Sequence, residues 1–153
     1  MPKRSAGVLL YRVDDGVMHV LIGHPGGPFW GHKDDGAWSI PKGEYESDED
    51  PWTAARREFA EELGCPVPEG ARIDLESARA PSGKILTVFA VEADLDVSDV
   101  RSNTFTLEWP RGSGRLKEFP ELGRVAWLPV EAARTKLLVG QRAFLDRLIE
   151  RSA

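Results

Sequence analysis

The sequence predicts an α+β fold in which a mixed β-sheet is flanked by helices. Three observations carry that expectation: two β-rich runs near the start, a capped amphipathic helix in the first half, and later apolar strand patterns that lead into an amphipathic C-terminal helix. The runs "AGVLLYRV" and "VMHVLIGH" are separated by "DDG", and its Asp15-Gly16 pair is a strong hairpin signal, so the fold should begin antiparallel. "PGGPFWGHKDDGAW" follows, and its Gly, Pro and two Trp suit a surface loop packed partly on the body of the domain. From Pro51 to Leu63 the pattern is helical, with Asp50 as N-cap, Pro51 at the first helical position and Gly64 as a left-handed end. "KILTVFAVEADL" reads as a long buried strand and "RVAWLPV" as a shorter one that closes the sheet. The segment from Gly140, "GQRAFLDRLIER", brings Phe144, Leu145, Leu148 and Ile149 to helical spacing.

Length and composition bound the function. A chain of 153 residues suits one domain, expected over 1–153, whose core needs neither disulfide nor structural metal. Cys65 is the sole cysteine, so no internal disulfide forms and a reducing cytoplasm is the simplest compartment. The opening "MPKRSAGVLLYRVDDG" has an apolar run too short for a signal peptide or a membrane span, so no membrane partner is expected. A formal charge of -5 argues against a protein that coats nucleic acid through phosphate contacts. Polyanionic small molecules stay open, provided local cations or metal ions offset the negative field. Monomer and homodimer are both compatible with the chain.

The stretch "REFAEELGC" concentrates the chemistry. At about 100° per residue, Trp52, Ala55, Phe59 and Leu63 form an apolar stripe, and Glu58, Glu61 and Glu62 fall together on the adjoining side. Carboxylates at i, i+3 and i+4 repel one another, so each should gain when one charge is removed. A divalent cation reverses the sign. Magnesium takes hard oxygen ligands, accepts only a few carboxylates from a protein and completes its shell with water and substrate phosphate. A solvated acidic face on a surface helix is the alternative for three acids alone.

Gly43 to Cys65, "GEYESDEDPWTAARREFAEELGC", sets these acids in a longer pattern: Gly43, Glu49, Arg57-Glu58, apolar Phe59, Glu61-Glu62, Gly64 and apolar Cys65 at fixed intervals. The pattern resembles the Nudix hydrolase signature at every defining position, and the preceding "WSIPKG" and the order of elements extend the resemblance to the whole domain. Phe59 stands where the family more often has an aliphatic residue, and Cys65 where it has a larger one. The resemblance implies an α/β/α sandwich and hydrolysis of nucleoside diphosphates linked to another moiety, with Mg2+ or Mn2+ as cofactor and a small nucleotide as partner. It also implies that Glu61 and Glu62 lead the metal ligands, that Glu58 is a further ligand or a base, and that Gly43 offers its backbone carbonyl. Arg57 is implied to pair with Glu49 and brace the loop; an i, i+4 pairing with Glu61 is the alternative from spacing.

That chemistry suits these residue types. Water attacking a phosphoanhydride meets a group already rich in negative charge, so the site must neutralise oxygens and acidify the water. No Ser-His-Asp pattern supports a covalent route, and His19, His24 and His32 lack the spacing of a helical zinc pair. Family members often draw another carboxylate from a loop ahead of the last strand, and "KEFPELGRVAW" offers Glu118 and Glu121 as ligand or general base. Lys42 and Lys33 are candidate phosphate contacts, as are Arg111 and Arg115 of "WPRGSGR" for a longer chain. Trp30 and Trp109 are candidates for stacking a base. Substrate choice divides: "WSIPKGE" resembles the nucleoside or dinucleoside polyphosphate branches, whereas Pro81, sixteen residues after Cys65, resembles the ADP-ribose pyrophosphatases. A Nudix-fold regulatory module without catalysis is the other alternative, and the three helical glutamates argue against it.

Overall fold

Asp15 and Gly16 both adopt positive φ, 49° and 76°, as a two-residue turn matched to strand twist requires. They join β1 (Arg4–Asp14) to β2 (Val17–Pro25), which pair antiparallel from Tyr11↔Val20 outward. The computed structural model describes residues 3–29 and 33–152. Its principal sheet adds β3 (Lys42–Tyr45), β4 (Arg72–Arg79), β5 (Ile85–Glu92) and β8 (Leu122–Pro129) in the order β4-β5-β1-β2-β8, with β3 paired to β1. The sheet is mixed because β1 and β5 run parallel while the other pairs are antiparallel. β1 is the axis of the fold. One edge meets β5 along its length, and the other is shared between β3 at its start and β2 at its end.

A strand buried on both faces should be apolar throughout, and Ala6 to Tyr11 is, Gly7 included. Val8 and Leu10 point to a cluster containing Ala54, Ala55, Phe59 and Leu63 of α1 (Pro51–Leu63). Leu9 and Tyr11 point to the opposite cluster, with Ala133 of α2 (Val130–Lys136) and Phe144, Leu145 and Leu148 of α3 (Arg142–Ser152). Each large aliphatic or aromatic side chain so buried contributes about 1.5–3 kcal/mol. The result is the expected α/β/α sandwich, with one helix on one face and two on the other.

Other elements depart from the sequence expectation. Ile149 is 44% exposed rather than part of the buried stripe of α3, and Trp52 lies at the edge of its cluster, edge-on to Phe89 at 5.2 Å. The strands β3 and β4 and the helix α2 carry no clear periodic signal. In β4 the alternation breaks at a bulge between Asp74 and Ser77, where Glu76 takes φ 63°. A separate two-stranded ribbon, β6 (Thr104–Glu108) with β7 (Leu116–Pro120), stands beside the sheet. Its first strand does alternate, Thr-Phe-Thr-Leu-Glu with Phe105 and Leu107 half-buried, but over five residues only. Among the described residues no helix is long and apolar enough to cross a membrane.

Candidate functional site

The site is built on α1, and both ends of that helix are fixed. Asp50 sits in the extended region and its carboxylate accepts from the Thr53 backbone N–H at 3.0 Å, a cap worth about 1 kcal/mol. Gly64 ends the helix at φ 74°, and its N–H donates to the Ala60 carbonyl at 2.8 Å. The Arg101 N–H donates to the Leu63 carbonyl at 2.7 Å, and a Cβ on Gly64 would stand 2.3 Å from the Arg101 carbonyl oxygen. Glycine is therefore needed there for both conformation and space.

On this helix the three glutamates do not behave alike. Glu58 and Glu62 are half-buried on the side facing β3, whereas Glu61 is exposed. Arg57 forks onto Glu49, with Nε donating to Oε2 at 2.9 Å and Nη2 to Oε1 at 2.8 Å. Its remaining nitrogen, Nη1, donates to Glu58 Oε1 at 2.8 Å and to Glu61 Oε1 at 3.3 Å. Both pairings weighed for Arg57 therefore coexist, and Glu58 adds a third. The hydrogen bond to Glu49 is the main reason that the guanidinium is held still more firmly protonated, and it holds the Glu49 carboxyl below the usual carboxylate range. The guanidinium also lies against Glu61 and offsets part of the repulsion expected there, while the Glu61 charge still acts on Glu58.

Glu58 packs against β3 at Gly43. A Cβ on Gly43 would lie 1.8 Å from Glu58 Oε2, so the missing side chain is what admits the carboxylate. Burial raises the Glu58 pKa, the hydrogen bond from Arg57 opposes that rise, and the Glu61 charge adds to it. Glu62 is the most perturbed carboxylate. Burial is the leading cause that pushes it up to about 7, the Lys42 ammonium and a Lys42 backbone hydrogen bond oppose, and the charges of Glu58 and Glu121 push further. Glu62, Glu58, Glu121 and Lys42 thus form one electrostatic neighbourhood.

The structure separates the two loop acids. Glu121 lies between β7 and β8, where its N–H donates to Asn103 and its carbonyl accepts from Gly26, and its charge reaches Glu62. Glu118 lies on the ribbon, where its carboxylate accepts from Thr104 Oγ1 at 2.6 Å. Arg111 and Arg115 fall in the turn that ends the ribbon, exposed to solvent. Trp109, at the base of that turn, meets Phe29 edge-on at 5.4 Å. The backbone carbonyl of Lys33 is bonded to His24 Nε2, and His24 is buried with Nδ1 3.0 Å from the Pro25 carbonyl. His24 thus ties the loop to β2 at Lys33. Trp30 and His32 lie outside the described residues.

Sequence reasoning missed a cavity of about 330 Å³ beside this neighbourhood. Its walls come from β1, β4, β5 and the turn before α3, among them Ser5, Ala78, Pro81, Leu86 and Leu138, and Lys42 lines it. Lys42 is therefore common to the cavity and the carboxylates. Segments so far apart in the chain leave no local signature.

Among the described residues no three acidic, histidine or cysteine side chains stand close enough to cage an ion alone. Magnesium does not require that, because it keeps several waters and uses one or two carboxylates. The donors here suit it: hard oxygens of Glu58 and Glu62, costly to leave buried and charged, with Glu58 seated in a cradle that any Cβ at Gly43 would fill.

The family model described as NUDIX domain matches residues 1–148. Solved structures share the architecture. The C. elegans Ap4A hydrolase, in a binary complex, is 22% identical with a TM-score of 0.61, covering 98% of this chain and 97% of that one. The NUDIX domain of Shewanella oneidensis NrtR, complexed with ADP ribose, is 15% identical with a TM-score of 0.62, covering 100% and 90%. A mutT/nudix family protein from Listeria innocua is 16% identical with a TM-score of 0.66, covering 99% and 95%. At these identities the likeness shows a shared fold. No curated protein matches the chain by comparison.

Proposed function

The chain belongs to the Nudix hydrolase family, and from that premise we propose a divalent-metal-dependent hydrolase, one domain over 1–153, that cleaves a phosphoanhydride bond in a nucleoside or dinucleoside polyphosphate. The observation that carries this reading is the half-buried pair Glu58 and Glu62, joined electrostatically to Glu121 and Lys42 beside a cavity. Carboxylates held that way are costly without a cation.

Bound Mg2+ or Mn2+ supplies charge neutralisation of the phosphate oxygens and acidification of a water. The chain's own residues do the rest. Glu58 and Glu62 would hold the ion with the Gly43 carbonyl beside them, and Glu61, in contact with Arg57, would be the third ligand. Arg57 and Glu49 hold the loop and helix in register. Glu121 accepts the proton of the attacking water, Glu58 being the other candidate for that role. Lys42 and Lys33 steady the phosphates, Arg111 and Arg115 serve a longer phosphate chain, and Glu118 is the remaining candidate for metal ligand or base. The cytoplasm is the proposed compartment, since a sequence with one cysteine can form no internal disulfide.

ADP-ribose hydrolysis is the second reading, and its support is Pro81, which lines the cavity. A panel of ADP-ribose, dinucleoside polyphosphates, nucleoside triphosphates and oxidised nucleotides, assayed with each metal, tests both. Chelator-sensitive release of a nucleoside monophosphate is expected. Absence of turnover across the panel with metal present refutes the hydrolase reading and leaves a nucleotide-binding module.

A further inference from the structure

The cavity beside Lys42 has an uneven chemistry. Its walls include Ala78, Pro81, Leu86 and Leu138, and no aromatic ring lines it, so a ligand there cannot gain from stacking. Gln141, which also lines it, is already committed: its Oε1 accepts from the Ile40 N–H at 2.8 Å and its Nε2 donates to Ser39 Oγ at 3.0 Å. Lys42 and Lys84 also belong to the lining. Ser5 is different from all of these. It is 6% exposed, fixed in β1 between Leu86 of β5 and Glu44 of β3, and its hydroxyl has no hydrogen-bond partner among the described residues.

The Ser5 hydroxyl is not sealed away from solvent; Ser5 belongs to the lining of a cavity that water or a ligand can enter. We propose that Ser5 is a specificity-determining residue: the cavity takes one base of the nucleotide substrate, and the Ser5 hydroxyl hydrogen-bonds a polar atom on its inserted edge. The inference rests on the hydrolase reading above for its substrate class. A volume of about 330 Å³ is at the small end of ligand pockets, so of a dinucleoside polyphosphate only one nucleoside enters. The phosphate chain leaves past Lys42, whose charge acts on Glu62. Apolar walls tolerate many rings of similar shape, whereas an unpaired hydroxyl rejects a ring that presents only C–H to it.

The test compares Ser5→Thr with Ser5→Val, which have the same shape and differ by a hydroxyl. Titration calorimetry with nucleoside monophosphates in metal-free buffer measures binding, and steady-state kinetics on the best panel substrate separates KM from kcat. Ser5→Thr should bind the preferred monophosphate as the parent does, and Ser5→Val about 2- to 10-fold more weakly, with KM raised alike and kcat unchanged. The parent should discriminate by a similar factor against the same nucleotide lacking its exocyclic polar group, a comparison that needs no variant to fold. Equal affinities of the Thr and Val variants, equal affinities of the parent for the two nucleotides, or no binding of any monophosphate overturn the proposal. Absence of turnover by the parent overturns the hydrolase reading instead, since the binding arm judges Ser5 independently.

Discussion

Replacing Glu62 by Gln should stabilise the metal-free protein at alkaline pH while removing its activity in magnesium. In the fold the carboxyl is pushed up to about 7 from 4.5, chiefly by burial. Between those values the native state holds a proton that the unfolded state has released. Stability therefore falls as pH rises from 4.5 through 7 and is flat above, and the full displacement corresponds to about 3 kcal/mol. Gln keeps the shape and an oxygen for the Lys42 backbone but carries no charge, so it escapes this loss. For a chain of this length about 3 kcal/mol is roughly 6–12 °C in Tm. Thermal melts in chelator should show Glu62→Gln above the parent by up to that amount at pH 8, and by only about a quarter of it at pH 5. Magnesium should narrow the gap by binding the parent selectively. A gap that does not change with pH, or a variant less stable than the parent at pH 8, would refute the reasoning.

Arg57→Ala removes the fork on Glu49 and the contact with Glu58 together, so Tm should fall by the equivalent of about 1–2 kcal/mol, with kcat falling at least tenfold; a stable variant impaired only in nucleotide affinity would make Arg57 a substrate contact instead. Gly43→Ala should leave the melt nearly unchanged, because the colliding atom is the end of the Glu58 side chain, but it should lower metal affinity, read by calorimetric titration of Mn2+. Of the loop acids, Glu121→Gln should reduce kcat by about 100-fold or more, while Glu118→Gln, whose carboxylate is tied to Thr104, should keep the parental rate on short substrates; the reverse order of effects would reassign the base.

Legibility in the sequence followed the range over which each signal acts. Asp15-Gly16, Asp50, Pro51 and Gly64 act on their own neighbours, and the hairpin and α1 appear where those residues put them. The ribbon was only weakly legible, because β6 alternates over just five residues and Leu116 of β7 is exposed. The glutamates were legible as a group, but their unequal states were not. Helical spacing equates Glu58, Glu61 and Glu62, yet Glu61 is relieved by Arg57 while Glu62 carries the burial. The cost at Glu62 is chiefly desolvation, with the Glu58 charge adding to it, rather than the mutual repulsion expected of all three. Likewise Glu118 and Glu121 are three residues apart and differ only in what the ribbon and the sheet place beside them.

The cavity has a consequence for the making of the protein. Ser5 stands near the first residue of the sheet, Gln141 near the start of the last helix, and Gln141 anchors the Ile40 backbone across a hundred residues of chain. Ribosomes add about 5–20 residues per second, so the hairpin and the acidic helix emerge seconds before the turn that completes the cavity. During that interval a nascent chain displays its carboxylates without the chamber beside them. The cavity is therefore completed late, and a chain stalled before residue 141 carries the acidic helix without it.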